Sequence, residues 1–222
     1  MFAVLVVTGD DDVAVRLNAE GAHGQSGIRA LSLEEGDQLI SVLETDGTKK
    51  VLIATHNGQA VCFPESAVRP MGRTAVGVRG IRLSEDDFVI GAAVAEEGKT
   101  VLSITANGFG KRTDVEEYRI TNRGGSGIRN YMVTEKTGGV VGVKVVDGSE
   151  DLLLVTQSGI MIRTHVDAIR IAGRATQGVI VMRFKEEGDQ VIAMALTDRE
   201  PDSSPEVEEK PVDVVENGDL SK

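Results

Sequence analysis

Few residues in this chain could do covalent or metal chemistry, and they are scattered. His23, His56 and His165 share no motif, and none has metal-ligand spacing to another histidine, a cysteine or a carboxylate. They read as surface or loop histidines. Cys62, inside Ala60-Val61-Cys62-Phe63, reads as inert core packing. Asp10-Asp11-Asp12 reads as a solvated turn rather than a cation site. Tyr118 stands beside Glu116 and Glu117 with no activating base, and reads as an amphipathic residue at a sheet edge. No glycine-rich phosphate loop precedes a predicted helix. The expectation is a chain with no catalytic constellation, no cofactor site and no metal site.

The arginines carry more information, because they recur together with glycines. The segments are Arg69-Pro70-Met71-Gly72-Arg73, Arg119-Ile120-Thr121-Asn122-Arg123-Gly124-Gly125 and Arg170-Ile171-Ala172-Gly173-Arg174. Lys111-Arg112 and Arg163 recur just past turn signals. A guanidinium makes forked contacts to phosphate, and glycine lets backbone N–H groups approach it. A cation repeated at one place on a curved array becomes a positive track that suits a bending polyanion. The residues leave a second reading open, in which these arginines pair with neighbouring Asp or Glu and the glycines only make turns.

The elements that must position these loops repeat. Val51-Leu52-Ile53-Ala54-Thr55-His56-Asn57-Gly58 aligns with Val101-Leu102-Ser103-Ile104-Thr105-Ala106-Asn107-Gly108 and with Leu152-Leu153-Leu154-Val155-Thr156-Gln157-Ser158-Gly159. The threonines lie 50 and 51 residues apart, and Gly77, Gly127 and Gly178 each follow their threonine by 22. Ile40, Ile90, Val141 and Ile192 mark a further apolar strand per unit. Val4 to Thr8 with Gly27-Ile28-Arg29 gives a degenerate first copy. Asn57-Gly58 and Asn107-Gly108 predict two-residue type I′ hairpins, and Ser158-Gly159 a weaker one. The strands before them are apolar at nearly every position, which requires burial on both faces. Small sheets stacked as radial blades satisfy that requirement. The expected units are about 1–48, 49–98, 99–149 and 150–198, followed by an acidic tail, 199–222, too polar to fold.

Composition sets outer limits. The 222 residues hold 24 Lys+Arg against 35 Asp+Glu, a formal net charge of −11. The first 50 residues and the tail carry −5 each, so the middle is nearly neutral. Five Phe, two Tyr and no Trp argue against a base-stacking single-strand binder. A single cysteine excludes an intrachain disulfide and fits a reduced compartment. The apolar runs are far shorter than the ~20 residues of a membrane helix. Met1-Phe2-Ala3-Val4-Leu5-Val6-Val7 lacks the basic flank of a signal peptide, so a cytoplasmic location is expected.

The repeat text resembles the C-terminal DNA-wrapping domain of the A subunit of bacterial DNA gyrase, an all-β pinwheel of propeller-like blades. The most specific stretch is Gly72-Arg73-Thr74-Ala75-Val76-Gly77-Val78-Arg79-Gly80-Ile81-Arg82-Leu83. Next come Thr105-Ala106-Asn107-Gly108-Phe109-Gly110-Lys111-Arg112-Thr113 and Gly173-Arg174-Ala175-Thr176-Gln177-Gly178-Val179-Ile180. The resemblance covers residues 35–197 well and the first unit poorly. It implies a domain that binds duplex DNA around its perimeter and bends it. The positions carried over as phosphate contacts are Arg73, Lys111, Arg112, Arg123, Arg163 and Arg174, with Arg79 and Arg129 less secure because they lie within strands. The implied partners are double-stranded DNA, the gyrase cleavage core and the gyrase B protein, with ATP and magnesium acting elsewhere in the full enzyme. That family typically has six blades against four units here. Its signature heptad, Gln-(Arg/Lys)-Arg-Gly-Gly-(Lys/Arg)-Gly, is absent, with Asn122-Arg123-Gly124-Gly125-Ser126-Gly127 its nearest echo. The nucleophilic tyrosine and the cleavage core are absent too, so no enzymatic activity is expected of the chain alone. It resembles only the C-terminal part of gyrase A: a truncated frame, a fragment or a stand-alone relative. The corresponding domain of topoisomerase IV, and a propeller used only for protein contacts, stay as alternatives.

Overall fold

The computed structural model describes residues 3–8, 13–18, 31–72 and 74–200. Asp10 to Asp12, His23, Gly27 to Arg29, Arg73 and the tail beyond 200 lie outside the described residues. The apolar runs form strands: β1 (Ala3–Thr8), β2 (Val13–Asn18), β3 (Leu39–Thr45), β4 (Lys50–Thr55) and β5 (Gln59–Pro64). They continue as β6 (Val78–Arg79), β7 (Val89–Val94), β8 (Thr100–Thr105), β9 (Phe109–Asp114) and β10 (Ile128–Arg129). The last are β11 (Val140–Val146), β12 (Glu150–Thr156), β13 (Met161–His165), β14 (Val179–Ile180) and β15 (Val191–Asp198).

These strands make four antiparallel sheets, ordered β3-β1-β2-β6, β7-β4-β5-β10, β11-β8-β9-β14 and β15-β12-β13. The outermost strand of each of the first three sheets comes from the following unit. Ile128 pairs with Ala60 and Val179 with Gly110, while Val78 pairs with Ala14. Each unit therefore lends a strand to the blade before it, and the blades interlock.

Burial on both faces explains the nearly continuous apolar text of the central strands. Successive β4 side chains point to opposite faces. Val51 and Ile53 pack with Leu43, Phe63, Val78 and Ile81 toward the first blade, whereas Leu52 and Ala54 pack with Val101, Tyr131 and Val140 toward the third. Leu102 and Ile104 face Leu152 and Leu154 in the same manner. The inner strands meet around a hub cavity lined by Ile40, Ile90, Val141 and Met194. A Cβ added to Gly142 there would overlap the Met194 sulfur, so that side chain would have to move.

Two polar devices hold the turns. Glu65 is 1% exposed, and its carboxylate accepts from Thr45 Oγ1 (2.5 Å), Gly47 N (2.9 Å) and Lys49 N (2.7 Å), tying a 3₁₀ turn to the β3–β4 turn. The hairpins after β4 and β8 are not type I′. Asp86 is the single non-glycine residue of positive φ among the described residues, so Asn57 and Asn107 do not adopt the φ that type I′ demands. Instead Gly58 and Gly108 donate back to Thr55 and Thr105, with glycine φ of 81° and 76°. That is a three-residue loop closed by a left-handed glycine, which supplies the bulge.

Candidate nucleic-acid interface

The strand exchange puts the basic loops on the perimeter. Residues 119–121 run parallel to the outer edge of β5, where Ile120 bridges Cys62 and Thr121 N donates to Cys62 O at 2.8 Å. The chain then loops outward over 122–127 and returns as β10 on Ala60 and Gln59. The next loop repeats the path: Ile171 bridges Arg112, and β14 returns on Gly110 and Phe109. Each glycine-rich loop thus belongs in sequence to one unit and rides in space on the edge of the preceding blade. The spacing of the repeats does not reveal this, because it says nothing about which sheet a two-residue strand joins.

Consecutive loops are fastened to one another. Arg123 donates from Nε to Ala67 O (3.0 Å) and from Nη1 to Arg79 O (3.1 Å). Arg174 repeats the second contact, Nη1 to Arg129 O at 2.9 Å. Gly124 N donates to Gly80 O, Met132 N to Thr176 O, and Tyr131 Oη to Gln177 O. Arg123 and Arg174 are therefore half-buried clamps between neighbouring loops. Arg174 also lies 3.9 Å from the Glu117 carboxylate.

The other expected contacts divide. Lys111 is fully buried, which corrects its placement at a phosphate surface. Its ammonium donates to Gly173 O (2.7 Å), Arg174 O and Thr176 Oγ1 (3.3 Å), and lies 4.9 Å over the Tyr131 ring. Burial pushes its pKa down to about 8, with Glu117 opposing and Arg174 adding to the shift. Val61 and Ile162 hold the equivalent slots in the neighbouring units, a sign of an inward position legible in the sequence. Arg112 donates to Ile169 O (2.8 Å) and Asp167 O (3.0 Å), an inter-element clamp rather than a free cation. Arg163 is neutralised locally by Asp151 (2.8 Å) and Glu200. Arg73 lies outside the described residues.

Other exposed cations keep no side-chain partner among the described residues, Arg82 and Arg183 among them, and those that recur in register matter most here. Arg69, Arg119 and Arg170 open the three basic segments in strict register, and with Arg129 they are exposed, without a side-chain partner among the described residues. Arg79 is also exposed. Tyr118, expected at an edge, is 4% exposed, with its hydroxyl donating to Asn130 Oδ1. Cys62 is buried, and desolvation raises its thiol pKa. His56 stacks on Phe88 and bonds to Val140 O at 3.0 Å.

Two consequences are measurable. Lys111→Met keeps the volume but takes the ammonium donor from Arg174 O and leaves Gly173 O only the Thr176 hydroxyl, so it should cost about 2 kcal/mol in a denaturant melt and loosen residues 173–176 in hydrogen exchange. The second concerns acid. Asp151, 1% exposed, accepts from His165 Nδ1 (2.5 Å), Arg163 Nε (2.8 Å) and Glu200 N (3.3 Å). The His165 bond, then the Arg163 bond, lower its pKa from 3.8 to about 2. A depressed carboxyl pKa stabilises the fold above the ordinary value and loses that contribution as pH falls from 3.8 toward 2. The melting difference between wild type and Asp151→Asn should therefore be full at neutral pH and shrink once the pH drops below about 4.

Blades that interlock through lent outer strands, with a basic glycine loop at each join, define a strand-swapped β-pinwheel of the propeller class. The chain belongs to the family described as "DNA gyrase C-terminal domain, beta-propeller", whose model matches residues 21–46, 49–96, 99–147 and 150–198. It is 43% identical over 196 residues to the DNA gyrase A protein of Staphylococcus aureus (strain MRSA252), covering 87% of this chain. It is 42% identical over 182 residues to that of Chlamydia pneumoniae, covering 81% of this chain. The chain spans 22% of the length of each of these relatives. Among solved structures, a DNA gyrase A C-terminal domain superposes with a TM-score of 0.78 at 23% identity, covering 88% of this chain and 65% of that one. The C-terminal domain of a DNA topoisomerase IV gives 0.80 at 24%, covering 89% and 62%. No helix among the described residues is long and apolar enough to cross a membrane.

Proposed function

We propose that this chain binds and bends double-stranded DNA along its outer perimeter, as the C-terminal part of a gyrase A protein. Joined to the cleavage core and to the gyrase B protein, it would support negative supercoiling, while the chain alone neither cuts nor supercoils. The observation that carries the reading is the register of Arg69, Arg119 and Arg170, exposed on successive blade edges whose loops are hydrogen-bonded in series. Such cations neutralise phosphates and fix the duplex on the rim, and sequence enters only through how easily the duplex bends. The net charge of −11 does not oppose this, because the acidity concentrates in the first 50 residues and the tail. Gyrase A relatives and the superposed gyrase C-terminal domain support the same assignment. An anisotropy titration of a duplex between roughly 50 and 200 mM salt tests it. A steep fall in affinity with salt is expected; no binding at the low-salt end would favour a protein-contact scaffold instead.

A further inference from the structure

The perimeter carries apolar side chains where a purely phosphate-binding surface has no use for them. Ile120 is 54% exposed and Ile171 47% exposed, and they occupy the same slot of consecutive loops, with exposed Pro70 in the first. Each directly follows a partner-free arginine, Arg119 or Arg170, and precedes a clamp arginine, Arg123 or Arg174, by three residues. Neither is needed for the core, which is closed beneath them by Val115, Tyr118, Val166 and Ile169. Nor can they swing away. Arg112 N donates to Arg170 O (3.0 Å) and Ala172 N to Arg112 O (2.8 Å), which locks the peptides on both sides of Ile171; Thr121 N anchors the Ile120 site. A β-branched side chain on a fixed backbone is itself stiff. An exposed isoleucine on an outermost edge is otherwise a liability for a soluble protein.

We infer that Ile120 and Ile171 are wedges that enter the minor groove of duplex DNA and partly unstack a base step. This deepens the duplex-binding reading above and rests on it. A stiff apolar side chain between cations is the combination that bends DNA: the cations hold the phosphates on either side, and the wedge opens one step between them. Two wedges on consecutive blades place two bends along one track. The wedges supply curvature and little of the electrostatics, so they separate cleanly from the arginines in measurement.

The test uses the whole chain with Ile120→Thr/Ile171→Thr, which keeps β-branching, and Ile120→Leu/Ile171→Leu, which keeps apolar reach. End-labelled duplex reports bending by energy transfer, and an anisotropy series reports the salt slope. The threonine variant should lose most of the bending signal and about three- to tenfold in affinity with the slope unchanged, and the leucine variant should restore the bend. On wild-type protein, a duplex carrying 2-aminopurine should brighten on binding as a step unstacks. A threonine variant that bends as wild type does, a slope that falls with the substitution, or no brightening overturns the wedges and leaves duplex binding standing. A wild-type chain that binds no duplex overturns both.

Discussion

Replacing Arg69, Arg119 and Arg170 together by glutamine is expected to collapse duplex affinity while leaving the fold intact. All three are exposed and lack side-chain partners among the described residues, so no buried group is orphaned by the change. If each neutralises one phosphate, the slope of log affinity against log salt should become shallower by about 2.7, and affinity at ~0.1 M salt should drop by roughly two orders of magnitude. Arg123→Gln should behave differently. Its guanidinium holds the carbonyls of Ala67 and Arg79, so that variant should lose thermal stability with a smaller change in slope. Equal behaviour of the two variants would mean that clamps and contacts are not separate groups of residues.

Two glycines of the same turn type offer the largest stability contrast. Gly108 and Gly159 both have positive φ, 76° and 84°, so alanine meets the left-handed backbone penalty at each. A Cβ on Gly108 would lie 2.5 Å from Met182 O, on the segment that follows β14. A Cβ on Gly159 meets nothing within 4 Å, because among the described residues β13 carries no lent strand. Gly108→Ala should therefore cost at least about 3 kcal/mol and Gly159→Ala about 1 kcal/mol. Equal costs in paired denaturant melts would contradict the strand exchange at that edge.

Much of the architecture is legible because it repeats. The threonine and glycine registers mark the units, and the largely apolar text of β8, buried at every position, implies the stacking of sheets. The exchange is not legible. Gly127-Ile128-Arg129 says only that a short extended piece exists, and its pairing with Ala60 depends on packing between blades. Tyr118 is obscured for the same reason, since its neighbours Glu116 and Glu117 suggest an edge while the Asn130 amide lies across a blade interface. Lys111 reads as a surface cation from its type alone. A lysine is seldom buried, and here two carbonyls, a hydroxyl and an aromatic face offset its desolvation. Arg69, Arg119 and Arg170 are visible in strict register but overshadowed by the second arginine of each segment, which in the second and third segments is a structural clamp.

Site-directed cross-linking tests the perimeter track most directly. The chain's one cysteine, Cys62, is 3% exposed, so an introduced cysteine can carry a photo-reactive group alone. Cysteines at Asn122 and Ala175, on the outward loops, are to be compared with one at Ile192, 59% exposed on the inner strand β15. Illumination with duplex at low salt should cross-link strongly from both loop positions and negligibly from the hub. Capture from the hub as efficient as from the loops, or from the hub alone, would contradict a duplex that follows the outer edges.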